Sequence, residues 1–173
     1  MIYRPLSILE EISEEEQNKI KTAFEHITNN RYKDAEKLLF EINNKSSARA
    51  TKAAVQYGFG VLNTIRPDDQ SDGINNLEET INYFDRSAKL SEKPEAYLQL
   101  GNALYKKLNF VLEKTRTTPD RNNKLINLID TALLSFKKAR ASPEYNGTSQ
   151  LVEELEKTKR DLKNNLILSG QCP

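Results

Sequence analysis

The chain has 173 residues, 37% of them hydrophobic and 29% charged, a length that fits one core of the usual ~100 to 200 residues. Lys and Arg number 26 against 25 Asp and Glu, a formal net charge of +1. No field of one sign is available to draw nucleic acid or an anionic membrane, so neither is expected as a partner. Cys172 is the one cysteine and has nothing within the chain to bridge to, no apolar run approaches the ~20 residues of a membrane span, and the opening MIYRPLSILEEISEEE lacks the apolar core of a signal peptide. A reducing, cytoplasmic setting is expected, in which the sequons at Asn44 and Asn146 are accidental.

In chain order, Ser13 followed by Glu16 has the spacing of a capping box, in which hydroxyl and carboxylate satisfy the free amides of a first turn. A helix is predicted from there to about Asn29. Tyr32 restarts the apolar pattern for a second helix to about residue 44, and a third is read over 48–65. In the fourth, 73–91, Ile74, Leu77, Ile81, Phe84 and Ala88 step by three and four residues, which lays them along one face. Further helices are read at 95–114, 123–141 and 148–167, and no stretch alternates as a strand does. The breaks NKSS, RPDDQSDG, SEKP, TRTTPDRNN and SPEYNG are turn chemistry. Loops this short favour antiparallel neighbours, so seven helices make three hairpins and a remainder. The last helix, with Leu151, Leu155, Leu162 and Leu166 on one stripe and Glu153 four residues before Lys157 on the other side, has the two-faced character of a terminal cap.

The hairpins repeat a packing pattern. In PEAYLQLGNALYKKLNF, Pro94 to Phe110, the helix carries Tyr97, Leu100, Gly101 and Leu104; its partner carries Ala132, Phe136 and Ala139, and Pro143 follows. The first hairpin offers Ala23 upstream and Tyr32, Ala35, Leu39 and Ile42 after the turn; the middle one offers Tyr57, Gly58 and Val61, then Thr80, Phe84 and Ser87. This arrangement resembles the tetratricopeptide repeat (TPR), with an aromatic, Leu-Gly and a further large residue on the first helix and Ala-aromatic-Ala on the second. The resemblance implies an all-α fold, a short right-handed α-solenoid of about seven helices forming one domain over 1–173. Its repeats would span about 14–45, 48–91 and 94–143, with a capping helix at about 148–167. The spacing departs from the family: Ala35, Thr80 and Ala132 are 45 and 52 residues apart, against roughly 34. Loops and helix ends are therefore lengthened, most of all between Phe110 and Ala132, and a generic antiparallel bundle is the alternative.

Candidates for chemistry are few. His26 is the only histidine, which excludes sites built on two imidazoles from one chain. GFGVLN lacks the third glycine of a dinucleotide loop, Asn63 standing in its place, and no strand precedes it; helix packing is the expected role of Gly58 and Gly60. Asp68, Asp72, Gly73 and Glu79 fall at the first, fifth, sixth and twelfth positions of a calcium loop, but Gln70 is a poor third ligand and Asn75 replaces the usual aliphatic. An acidic turn whose Ser71 or Asp72 caps the next helix accounts for the same residues. No catalytic residue, cofactor or resident metal is predicted, and the chain is not expected to be an enzyme.

The TPR resemblance implies that the first helix of each hairpin lines a concave face. That face would comprise Ile20, Phe24 and Ile27, then Val55, Phe59 and Leu62, then Leu98, Asn102 and Tyr105. Family members that clamp the carboxylate of chaperone peptides carry Lys, Asn and Arg where this chain has Ile20, Phe24, Gln56, Glu95 and Gln99, so that clamp is missing. With Phe24 and Phe59 on it the face is apolar, and an amphipathic helix or hydrophobic peptide of another protein is the expected occupant. Alternatively these side chains pack internally, or residues 1–12, with Ile2, Tyr3, Leu6, Ile8 and Leu9, fold back over them. Function follows as a protein-binding adaptor, with a self-associating scaffold and a calcium-linked switch through 68–79 as the other readings.

Overall fold

The structure, a computed structural model, describes residues 6–66, 73–114 and 119–168. Among these the chain is all α: α1 (Leu6–Leu9), α2 (Glu14–Thr28), α3 (Tyr32–Lys45), α4 (Arg49–Ile65), α5 (Gly73–Ser91), α6 (Pro94–Lys114), α7 (Pro119–Ala139) and α8 (Ser149–Leu168), with a 3-10 turn at Pro143–Thr148 and no strand. Each long helix packs on its neighbour in sequence, α2 also meets α4, and α1 lies against α4. Short connections force successive helices antiparallel, giving three stacked hairpins, α2–α3, α4–α5 and α6–α7, closed by α8. The predicted helices stand within a residue or two, except that α7 begins four residues early, at Pro119. The second half of TRTTPDRNN, turn chemistry by composition, belongs to the helix instead, because proline suits the first helical position, where no amide partner is required.

The ends form as local chemistry dictates. Ser13 Oγ accepts from the Glu16 amide at 3.4 Å, capping the first turn, and donates to Glu16 Oε2 at 3.2 Å; this is half of the capping box, with no bond from the Ser13 amide to the carboxylate. At the turn into α3, Asn30 takes φ 59°, the left-handed conformation that Asn tolerates after a helix. Glu92 takes φ 55° at the end of α5, its amide bonding Ala88 O at 2.8 Å.

Hairpin packing rests on aromatic rings seated over glycines. A Cβ on Gly60 would meet the Phe84 ring at 2.6 Å, and one on Gly101 the Phe136 ring at 2.8 Å. Both rings are buried. Gly60, not Gly58, is thus the middle-hairpin counterpart of Gly101; Gly58 instead admits Leu39 of the preceding hairpin, with Cδ2 at 2.8 Å from such a Cβ. From glycine to its phenylalanine is 24 residues in α4–α5 and 35 in α6–α7. The difference reflects longer helices beyond the contact, which leave the contact itself unchanged. Thr80 and Ser87 stand where α7 has Ala132 and Ala139, and both are buried. Their hydroxyls are satisfied, Thr80 donating to Asn76 O at 2.8 Å within its own helix and Ser87 to Ala53 O on α4 at 2.9 Å, so polarity at these positions costs little.

One hydrophobic core runs from Ile8 to Leu162. Within it α4 is unlike the other helices, with ten residues from Thr51 to Leu62 buried. Gly101→Ala should cost about 1–3 kcal/mol, because the buried Phe136 ring has no room to retreat. Gly58→Ala should cost less, because the close contact is with the methyl ends of Leu39, shorter than a ring though also buried, and alanine gains up to ~1 kcal/mol of helix propensity. Urea unfolding of the two variants checks the contrast.

Candidate functional site

The structure disperses the nine residues expected to line an open apolar groove. Ile20, Ile27, Val55, Phe59 and Leu62 are core residues, each at most 5% exposed. Phe59 is held between Phe40 of α3, centroids 4.9 Å apart, and Tyr83 of α5, stacked at 5.3 Å. It therefore faces the second helices of the hairpins and no groove. Phe24 is half-buried near Tyr57, at 6.2 Å. Leu98 and Tyr105 pack on the core, and the Tyr105 hydroxyl hydrogen-bonds Glu154 of α8 at 2.8 Å, which ties it to the capping helix. Asn102 is half-exposed. Phe59 is packed internally, the alternative to a bare ring, because α3 and α5 close over its side of α4, whereas Phe24 on α2 stays half-buried. A sequence signal existed: from Ala53 to Leu62 only Gln56 is polar, and a helix apolar all round is a buried helix.

The inner face is instead met by the chain's own beginning, the arm Ser7–Ile12. Ile8, Leu9 and Ile12 are buried. Ser7 Oγ lies 2.5 Å from both carboxylate oxygens of Glu95, and the Ile8 amide donates to Glu95 Oε1 at 2.9 Å. Glu95 sits in the first turn of α6 behind Pro94, where the helix dipole favours an anion. It is nonetheless 3% exposed, so its donors must come from the protein. Beyond it Lys93 Nζ pairs with Glu11 at 2.9 Å, and that hydrogen bond is the main cause of the raised pKa of the Lys93 ammonium. Arg49, at the start of α4, caps the end of α5 through Leu90 O at 2.7 Å and Lys89 O at 3.1 Å. A cavity of about 240 Å³ remains open between Ile8, Glu11, Arg49, Ala50, Leu90, Ser91, Glu92 and Lys93. The 3-10 turn covers the other flank: burial, and next the charge of Glu95, push the Tyr145 phenol up to about 12.

A second polar cluster fastens α2 to α4. Thr51 Oγ1, buried, donates to Glu16 Oε2 at 2.9 Å. The hydroxyls of Ser46, Thr51 and Ser13 hold the Glu16 carboxyl below its ordinary range, Ser46 contributing most. Of the candidate calcium residues, Asp68 and Asp72 lie outside the described residues, and Glu79 is exposed on α5 with Asn63 Nδ2 3.5 Å from Oε2. Among the described residues no group of three or more His, Cys, Asp or Glu is placed to hold a metal ion, and no helix is long and apolar enough to cross a membrane.

Sequence reasoning met Glu95 only as a lost clamp position. An acidic residue in a first turn is ordinary, and its importance depends on Ser7, 88 residues away in sequence. Compared with protein-family models, with curated proteins and with solved structures, the chain matches none.

Two outcomes test this picture. Phe59→Asp should destabilise the chain by roughly 3–5 kcal/mol or leave it unfolded, as circular dichroism and urea titration would register. Glu16 has a folded pKa below its unfolded value, so its contribution is present above the unfolded pKa of about 4.5 and is lost as pH falls through the folded one. Glu16→Gln should flatten the fall in melting temperature below about pH 5 and leave the curve above about pH 6 parallel to that of the native chain.

Proposed function

We propose that this chain is a non-catalytic interaction module, a divergent TPR-type helical repeat that receives short segments of other proteins on the first helices of its hairpins. One observation carries the reading: these helices already hold a short amphipathic turn, Ser7–Ile12, through buried Ile8, Leu9 and Ile12 and through Glu95. This is helix-in-groove recognition, with apolar anchors spaced by a turn and a polar contact setting register. The repeated seating of Phe84 over Gly60 and Phe136 over Gly101 supports the kinship of the hairpins, and kinship of stacked units is what builds an extended binding face. The core residues Val55, Phe59 and Leu62 have no part in contacting a partner. Contact falls to half-exposed positions of α6 such as Leu98 and Asn102.

A module of this kind should lose partners when its inner face is altered at constant stability. The variant Asn102→Arg, at a half-exposed position, should keep the helicity of the native chain and fail to retain proteins that the native chain captures from cells expressing it. Identical capture profiles for the two chains would contradict the reading.

A further inference from the structure

Gly147 is a glycine that the fold does not call for. Its φ lies outside the left-handed region and a Cβ placed on it would meet nothing within 4 Å, so neither backbone conformation nor close packing requires it, unlike Gly60 and Gly101. What it changes is the chemistry of the residue before it. Asn146 is the one asparagine of the chain that precedes a glycine; both residues are exposed, and the Asn146 carboxamide enters no hydrogen bond among the described residues. Asparagine is chemically labile because the main-chain nitrogen of the next residue can attack its Cγ, a ring closure that a Cβ on that residue obstructs and glycine leaves open. The pair sits in the 3-10 turn Pro143–Thr148, a helix type with poorly aligned hydrogen bonds and hence a low cost of local opening. One clasp holds it shut. The Asn146 carbonyl accepts from the Ser149 amide and from Ser149 Oγ at 2.9 Å, which keeps the Asn146–Gly147 peptide in helical orientation and its nitrogen turned away from Cγ.

We propose that Asn146 is a site of spontaneous covalent modification, converted to isoaspartate or aspartate through a cyclic imide closed by Gly147. The Gly147 nitrogen gives up its proton and bonds to Asn146 Cγ; the carboxamide nitrogen takes a proton and leaves as ammonia, closing a five-membered succinimide. Water then opens the ring. Attack at the main-chain carbonyl leaves isoaspartate, and attack at the side-chain carbonyl leaves aspartate, with no change of oxidation state in either case. The two products differ for the fold. Isoaspartate adds a methylene to the main chain of the turn, which displaces Thr148, buried and bonded to Arg140 Nε and to Tyr145 O at 3.1 Å each, and so loosens the junction of α7 with α8. Aspartate keeps the main chain as it is and sets a negative charge ahead of the first turn of α8, where the helix dipole favours it.

The test incubates the full chain for weeks at neutral pH beside Gly147→Ala and Ser149→Ala. Mass spectrometry follows the tryptic segment 141–157 for the mass gained when NH2 is replaced by OH, and fragmentation locates the gain. The native chain should acquire it at Asn146, in two separately eluting forms. Gly147→Ala should melt with the native chain, since its Cβ meets nothing, and should lose most of the gain. Ser149→Ala should react about two- to tenfold faster, the factor that one hydrogen bond carries. The isoaspartyl form should melt about 2–4 °C below the fresh chain, whereas Asn146→Asp should melt with it. No gain at Asn146 in the native chain, or an equal gain in Gly147→Ala, overturns the proposal. A rate in Ser149→Ala no faster than native overturns the role of the clasp, and an isoaspartyl form that melts with the fresh chain overturns the loosening of the α7–α8 junction.

Discussion

The burial of α4 is the constraint on which the rest of the structure depends. A helix packed against α1, α2, α3 and α5 must present apolar or small residues on most of its circumference, and Thr51 to Leu62 do so apart from the strip of Lys52 and Gln56. Gly58 and Gly60 lie on this helix because two neighbours approach it at glycine distance, Leu39 from one side and Phe84 from another. Tyr57 and Phe59 point to opposite sides, the first toward Phe24 and Phe84, the second toward Phe40 and Tyr83. The preceding hairpin and α5 are thereby locked to one helix, α6 packs in turn on α5, and the core is continuous.

That continuity removes the open apolar groove which a repeat-like stack would otherwise display. The inner face keeps polar or half-buried residues, and its apolar end is covered by Ile8, Leu9 and Ile12. Coverage is directional because of Glu95: an apolar turn alone could slide, whereas a buried carboxylate bonded to Ser7 Oγ and to the Ile8 amide admits one register. Lys93 and Glu11 add an ion pair at the rim, where water screens it and its contribution is small. Specificity in the arm's docking thus comes from the buried acceptor, and strength from apolar area.

Much of this was legible in the residues. Apolar spacing placed the seven long helices because each has a face that must be buried, and Ser13 with Glu16 marked the start of α2 through chemistry confined to one turn. Pairing of hairpins followed from short loops, and Phe136 over Gly101 from the requirement that a large ring face a small residue. The start of α7 lies four residues earlier than the apolar spacing indicates, because PDRN has the composition of a turn and yet forms the first turn of a helix behind a proline. Gly58 was matched to Gly101 by its local context, although Gly60 receives the ring; two glycines two residues apart cannot be told apart without knowing which side of α4 faces α5.

Local order in this protein was decided by its sequence: helix positions, caps, hairpin pairing and the absence of a strand pattern are short-range consequences of periodicity and turn chemistry. The faces were decided by tertiary structure. Whether Phe59 looks into a groove or into Tyr83, and whether Glu95 is an ordinary first-turn acid or the anchor of residues 7 and 8, depends on helices that meet across 24 residues in one case and 88 in the other. A one-dimensional pattern says that a face is buried. Only the packed chain says against what, because burial is a property of pairs of surfaces.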